Sequence, residues 1–244
     1  SGGHILVTSS IYAFYNGTNV VLNSNADVQF NAAQIYSDNA ARLSLAVNAV
    51  GSITGNGFSI AASNGALDMA FNANSGGGAP GAGGISFGNA TLLSMGGNLL
   101  MYGQSDLVNG TASGATSGIS LAAVDLNTGG GNVLMRGSSV GSDNGAGVRV
   151  FNSTIDAGSG GVTLYGVGAG LASGVSLDGS NFTVGAPGIH IDGHSATMDG
   201  VHATGSDLTV TGGDIDLTGI GAIHGVYFDG GLYSTGGNIR VHGE

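Results

Sequence analysis

The chain has 244 residues and a formal net charge of −11, because 15 acidic residues face only four arginines and no lysine. Nucleic-acid affinity depends on basic side chains that neutralise phosphates, so this balance excludes nucleic acid as a partner and also disfavours anionic membrane surfaces. The chain has no cysteine and no run of about 18 apolar residues, so neither a disulfide framework nor membrane insertion is predicted.

The first 83 residues contain short apolar segments separated by Gly, Asn, Ser and Asp, which are typical of turns. Predicted strands cover residues 5–7, 20–22, 28–30, 43–47, 58–60 and 67–71. We expect these strands to form less regular coils of a single domain that spans residues 1–244. A stretch rich in Gly and Ala at residues 75–83 is the first predicted loop.

Residues 84–244 repeat one pattern six times: a Gly-apolar-x-apolar opening, a short apolar stretch, and an apolar-x-apolar pair closed by Gly. The opening glycines are Gly84, Gly118, Gly147, Gly174, Gly200 and Gly225, and the closing glycines are Gly103, Gly137, Gly166, Gly193, Gly219 and Gly243. The spacing between closing glycines falls from 34 residues to 24 along the chain. Repeats of this length that alternate apolar and polar residues are typical of coils that bury side chains by stacking.

Aligning the six repeats places apolar residues in three columns. One column contains Leu92, Leu126, Ile155, Phe182, Leu208 and Leu232, and the strands at the two glycines supply the others. Because side chains alternate faces along a strand, apolar residues two apart point to one side. The sequence therefore predicts an all-β fold, a right-handed parallel β-helix with about three strands per coil and six regular coils over residues 84–244.

Several short sequence motifs in this pattern resemble those of a known family. They include Gly57-Phe58-Ser59-Ile60, Gly84-Ile85-Ser86-Phe87 and the Gly-Gly-Asn words at Asn98, Asn132 and Asn238. In these words the chain resembles the repetitive shaft of two-partner-secretion exoproteins, which include filamentous haemagglutinins, high-molecular-weight adhesins and contact-dependent growth inhibition sticks. The resemblance implies an internal segment of a longer, secreted protein at the bacterial surface, whose full-length parent uses an outer-membrane secretion partner.

Outward positions on the closing strands suggest a binding surface. Stacking would place Leu100 and Leu134 beside Tyr102, Arg136 and Tyr165, a composition that suits a protein-binding centre. Two insertions, residues 103–117 and 137–146, leave from the same edge, and Asp106 and Asn109 of the first insertion are added as candidate receptor contacts. The alternative is that these insertions fold over the patch and cover it.

Other polar residues have plainer interpretations. Aspartates gather late in the chain, at Asp178, Asp192, Asp199, Asp207, Asp214, Asp216 and Asp229. Most of them adjoin Gly or Ser and are predicted to cap turns, although β-helical lyases use such carboxylates for calcium or catalysis. Among the six histidines, His190 and His194 are four apart, but in a strand and turn this spacing does not converge on an ion as it would on a helix, so we expect no metal and no cofactor. Five Asn-x-Ser/Thr triplets, at Asn16, Asn89, Asn109, Asn152 and Asn181, are possible glycosylation sites.

These observations predict a non-enzymatic, monomeric adhesin or receptor-binding stick that recognises a cell-surface protein or glycan. One alternative is a carbohydrate-active β-helix, either a polysaccharide lyase or a tailspike-like hydrolase. Such an enzyme would need convergent aspartates with Arg or Lys, and this chain has few basic residues to offer. A purely structural shaft spacer is the other alternative.

Overall fold

The chain forms a parallel β-solenoid. A computed structural model describes residues 3–12, 17–106, 108–141 and 145–244, and 26 strands lie within these ranges, numbered in chain order. The described residues contain no helix, and thus none long and apolar enough to cross a membrane. Three parallel ladders run along the stack, and the third ladder contains nine strands, one for each of nine coils.

Each coil contributes one strand to the first and third ladders, and every coil except the first contributes one to the second, where the first coil makes only an isolated bridge between Ile11 and Ile35. The first ladder contains β1 (Ile5–Val7), β3 (Val28–Asn31), β6 (Ile53–Asn56), β10 (Ile85–Gly88), β14 (Ile119–Ala122), β17 (Ala146–Phe151) and β20 (Ser173–Asp178). The second contains β4 (Gln34–Ser37), β7 (Ser59–Ala62), β11 (Thr91–Leu93), β15 (Asp125–Asn127), β18 (Thr154–Asp156) and β21 (Asn181–Val184). Two long strands, β23 (Val201–Thr211) and β25 (Val226–Thr235), run through both ladders.

The third ladder is an uninterrupted series of nine strands. It contains β2 (Val20–Ser24), β5 (Leu43–Ala49), β8 (Leu67–Ala73), β12 (Leu99–Gly103), β16 (Val133–Ser139), β19 (Val162–Gly168), β22 (Ile189–Ser195), β24 (Ile215–Gly221) and β26 (Ile239–Gly243). Two short strands, β9 (Ala82–Gly83) and β13 (Ala112–Gly114), lie outside this regular scheme.

The structure confirms the predicted fold class and its register. Leu92 pairs with Leu126, and the same column continues through Ile155, Phe182, Leu208 and Leu232. The strands of residues 5–73 belong to the same three ladders and join the regular coils without a break, since β6 pairs with both β3 and β10. The right hand of the helix stays a prediction.

Inward side chains of successive coils form one continuous apolar core. In the N-terminal coils it contains an aromatic cluster, in which Phe58 stacks on Phe30 at 5.2 Å and meets the edge of Phe87 at 5.0 Å. The strands of the last coil pair in the same register, but their inward side chains are not buried. Ile239 and Val241 are 46% and 53% exposed, because no described coil stacks on their far side.

The repeated glycines mark a corner where the chain passes very close to itself. A Cβ on the closing Gly193 would lie 2.0 Å from the carbonyl oxygen of the opening Gly200, and a Cβ on Gly166 would lie 2.0 Å from that of Gly174. Real Cβ atoms are not found at such distances. Glycine therefore recurs at both positions because the backbone leaves no room for a side chain.

The Gly-Gly-Asn words are explained by hydrogen bonds between coils. The Asn98 side-chain oxygen accepts the backbone N–H of Asn132 at 2.9 Å, and the Asn132 oxygen accepts that of Gly161 at 2.9 Å. Each asparagine thus satisfies a backbone donor of the following coil, where the third-ladder strand begins. We call this column the asparagine staircase; it replaces ladder bonds that the turn cannot make.

The predicted insertions are shorter than the sequence suggested. The chain leaves the third ladder after Gly103 and returns at β13, which pairs in parallel with the end of β16, so residues 104–106, 108–111 and 115–117 are the described residues of this insertion outside strands. Residues 137–139 likewise belong to β16, and β17 begins at Ala146. Strand β9, from the 75–83 stretch, pairs antiparallel with β13. All three insertions therefore gather at one corner of the solenoid.

Candidate functional site

A surface groove of about 370 Å³ lies beside this corner, on the outward face of the third ladder. One wall is the 104–111 loop, through Asn109 and Thr111, and the floor is formed by Arg136 and Tyr165. Asp192, His194 and two partly exposed apolar residues, Val167 and Ile220, complete it. We call it the Arg136 groove.

The ladder register places the floor residues side by side. Arg136, Tyr165 and Asp192 occupy equivalent positions in the neighbouring strands β16, β19 and β22. The Arg136 guanidinium carbon lies 4.0 Å from the centre of the Tyr165 ring, a cation–π contact that holds the guanidinium over the ring. The other neighbour of Tyr165, His190, meets it edge-on with 5.6 Å between ring centres.

Arg136 has no hydrogen-bond partner among the described residues, and its Nε is buried. A buried donor without an acceptor costs about 1–3 kcal/mol of free energy. Two of the other arginines are fully engaged: Arg42 holds Asp68 through two nitrogens, and Arg240 bonds Asp214 and Asp216. Arg136 makes no hydrogen bond or ion pair with a described carboxylate, and its charge has only a minor influence on Asp106.

The loop beside Arg136 is ordered by its own aspartate. Asp106 accepts the backbone N–H groups of Val108 and Asn109 at 2.8 and 3.1 Å, so the turn closes on this carboxylate. Those hydrogen bonds, with a smaller contribution from the charge of Arg136, lower the pKa of Asp106 below its ordinary value. Asp106 therefore shapes the loop that presents Asn109 to the groove.

Three of the predicted contact residues lie elsewhere. Leu100 and Leu134 are half-buried partners in β12 and β16, and they do not line the groove. Tyr102 pairs with Asn72 on the other side of its strand, because the pairing of β12 with β16 runs only through Met101. Burial raises the pKa of the Tyr102 hydroxyl. Of the predicted set, Asn109, Arg136 and Tyr165 are the residues brought together at the groove, with Asp106 shaping its wall.

The fourth arginine lies over a second groove. Arg149 lines a groove of about 360 Å³ on the outward face of the first ladder, together with hydroxyl groups that include Ser86, Ser117 and Ser120. Its guanidinium carbon lies 5.2 Å from the centre of the Phe151 ring, and no described carboxylate pairs with it. Arg136 and Arg149 thus share one feature: each rests on an aromatic ring without an ion pair.

A cluster in the last two coils was not predicted. The side chain of Asp199, only 7% exposed, bonds Nδ1 of His202 at 2.6 Å and Nδ1 of His224 at 2.8 Å. The His202 ring stacks on Tyr227 with 5.0 Å between centres. Both pairings follow from the repeat alignment. Asp199 and His224 each precede an opening glycine, and His202 and Tyr227 each stand two residues after one.

Opposing influences set the pKa of Asp199. Burial alone would raise the pKa. The hydrogen bonds and charges of His202 and His224 outweigh burial, so the pKa of Asp199 lies below its ordinary value. The cluster is held by hydrogen bonds. Among the described residues, no group of three or more His, Cys, Asp or Glu is placed to hold a metal ion.

The other late aspartates are distributed along the stack. Asp207 and Asp214 do not cap local turns as predicted; each accepts a backbone N–H group of the following coil, from Gly231 and Asn238 respectively. Asp216 shares Arg240 with Asp214, and Asp178 accepts the Thr204 hydroxyl. Asp192 lines the Arg136 groove, whereas Asp229 is exposed.

Glycosylation stays a prediction. Asn89, Asn109, Asn152 and Asn181 are all exposed, and Asn89 and Asn152 adopt positive φ angles of 48° and 45° at turns. Asn16 lies outside the described residues.

Comparison with known proteins adds no relative: no protein-family model matches the chain, and neither curated proteins nor solved structures give a match. The resemblance to two-partner-secretion exoproteins is therefore supported at the level of architecture, a parallel solenoid of about nine coils that is compatible with a β-helical stick.

Proposed function

We propose that this chain is a non-enzymatic, receptor-binding segment of an extended bacterial surface protein, and that the Arg136 groove holds the receptor. The solenoid is compatible with an adhesin stick, a tailspike-like protein or a spacer. The observation that favours a binding role is the unpaired Arg136 guanidinium, held over Tyr165 in a groove beside the insertions.

Arg136 lowers the stability of the free protein but offers hydrogen-bond donors to a receptor. A buried donor without a partner lowers stability, so the residue weakens the free protein. Nε is covered, so a receptor group would accept hydrogen bonds from the Nη groups, and these bonds would offset the cost of Nε by adding free energy of binding. Charge-assisted hydrogen bonds to arginine are among the stronger polar contacts, and aromatic and arginine side chains dominate many binding interfaces.

The position of the groove is consistent with this role. Stacked coils need no extra residues, yet the 104–111 loop leaves the ladder and returns to it, contributing Asn109 and Thr111 to the groove wall. Loops on a rigid scaffold are common places for recognition. In a protein of the resembled type, the coils would form a stiff shaft at the cell surface, and the groove would face outward along it.

Binding of the purified chain to intact cells tests the proposal. Arg136→Ala should abolish or strongly reduce binding, and so should replacement of residues 104–111 by a short Gly-Ser turn. Arg42→Ala is the matched control, because it removes the same charge from an arginine already paired with Asp68. Equal binding by the parent, Arg136→Ala and the loop variant would contradict the proposal and favour a spacer.

A further inference from the structure

We infer that the Arg136 groove binds a sugar acid, meaning a polyhydroxylated ring that carries a single carboxylate. This inference rests on the proposed function and names the chemistry of the ligand. It depends on three observations: the free donors of Arg136, the polar groups around them, and the sign of the charge nearby.

The first observation concerns the partner that Arg136 lacks. Its guanidinium presents a planar set of N–H donors, which fits a carboxylate through two parallel hydrogen bonds. Arg42 shows such a pair in its side-on form, with Nε and Nη2 on the two oxygens of Asp68, whereas Arg136 could use only its two Nη groups. At Arg136 no described residue supplies the carboxylate, and Nε is covered, so the Nη groups are the donors that a ligand would meet. The Tyr165 ring holds the Arg136 guanidinium in place.

The second observation concerns the rest of the groove. Asn109 offers an amide, Thr111 a hydroxyl, Asp192 a carboxylate and His194 an imidazole. Asp192 is half-buried, and no described residue bonds its carboxylate. Together these side chains supply both donors and acceptors over a short distance, which suits several neighbouring hydroxyls. Val167 and Ile220 add only a small apolar surface, enough for the C–H face of a ring.

The third observation limits the charge of the ligand. Asp192 occupies the same groove as Arg136, and the whole chain carries a net charge of −11. A polymer with many carboxylates or sulfates would be repelled by this field. One carboxylate on Arg136, with hydroxyls toward Asp192 and Asn109, satisfies both residues. A terminal sugar acid on a glycan therefore fits better than a polyanion.

Ligand-observed NMR titration of the purified chain tests the inference with defined probes. The acids are glucuronic acid and N-acetylneuraminic acid; the neutral counterparts are glucose and the methyl ester of N-acetylneuraminic acid. We expect the acids to bind at least about tenfold more tightly than the neutral sugars, because the difference is a charge-assisted contact. Arg136→Ala should remove this preference, and Arg42→Ala should keep it.

Other results would overturn the inference. Equal affinity for acids and neutral sugars would show that Arg136 does not select a carboxylate. Binding of a capped peptide with one aspartate, without binding of either sugar acid, would assign the groove to a protein receptor. The two proposals can fail separately: cell binding that depends on Arg136 without any sugar-acid binding would refute only the sugar acid, and the reverse result would refute only the cell-surface role.

Discussion

Charged side chains form pairs in the last two coils, but two arginines near the corner that carries the insertions have no described ion pair. In the last coils, Arg240 bonds two aspartates and Asp199 joins two histidines. Near the insertions, Arg136 and Arg149 rest on aromatic rings without a described carboxylate partner. The last coils use their charges to link one coil to the next, whereas the coils beside the insertions leave two arginines without a described acceptor.

The largest expected effect lies in the core, which both regions share. Ile191→Asp would place an unpaired carboxylate in a fully buried column, at a cost of about 4 kcal/mol or more. Asp216→Ser is the control, since Asp216 points outward and Arg240 would keep Asp214. Thermal melts should show a large loss for the first variant and almost none for the second. Equal losses would contradict the inward and outward assignment.

The closing glycines should separate backbone packing from local charge. A Cβ at Gly137 or at Gly193 would lie 2.0 Å from a carbonyl oxygen of the following opening glycine. Gly137→Ala and Gly193→Ala should therefore cost similar amounts, about 2–3 kcal/mol each, although one lies near the insertions and the other near the C-terminal end. Gly3→Ala, where the nearest atom is 3.5 Å away, should be close to neutral. A loss at only one of the two corners would mean that the regions differ in backbone as well as charge.

Asp199→Asn should expose the contribution of the paired charges. At neutral pH we expect a loss of about 1–3 kcal/mol, because an amide cannot accept from both histidine rings. Asp229→Asn, at an exposed position, is the control. Unfolding measured by denaturant for both variants checks the difference, and the absence of any loss at position 199 would remove the cluster from the stability of the last coils.

The pH dependence of this difference has a defined sign. The folded pKa of Asp199 lies below the ordinary value of 3.8, so its stabilisation is complete above that value and disappears as pH falls through the folded pKa. The gap in melting temperature between the parent and Asp199→Asn should therefore close as the pH falls below about 3.8. A gap that persists well below this pH would contradict the assignment.

The smallest expected effects compare the two kinds of arginine directly. Arg240→Ala should lower the melting temperature slightly, because it breaks exposed ion pairs. Arg136→Ala should leave the melting temperature unchanged or slightly raised, since it removes a buried donor without a partner while losing one cation–π contact. A marked loss of stability for Arg136→Ala would show that this arginine belongs to the fold.

The sequence predicted the fold well because the solenoid repeats one local rule. Each coil buries the same columns and needs glycine at the same corner, so aligning six repeats was enough to recover the strand pairing. The rule did not predict the exposure of the last coil. Ile239 and Val241 belong to the apolar columns but stay exposed, because burial of a coil depends on its neighbour and not on its own residues.

The candidate site was predicted only in part, for a related reason. Arg136 and Tyr165 are ladder partners, and the register identified them. Tyr102 was assigned to the same patch by extending the register, but the chain leaves the ladder after Gly103, and a loop exit has no periodic signal. Asp199 was interpreted as a turn residue. One of its two histidine partners, His224, lies one coil away at the position before the opening glycine, which is outside the three apolar columns.

The asparagine staircase has a consequence for how such a chain can change length. Asn98 and Asn132 each bond a backbone donor of the following coil, so these two successive joints are made from the same parts. Duplication or deletion of a whole coil would recreate that joint without altering the remaining ones. Gene segments that encode single coils could therefore lengthen or shorten the solenoid and shift the Arg136 groove along its axis in steps of roughly 4.8 Å.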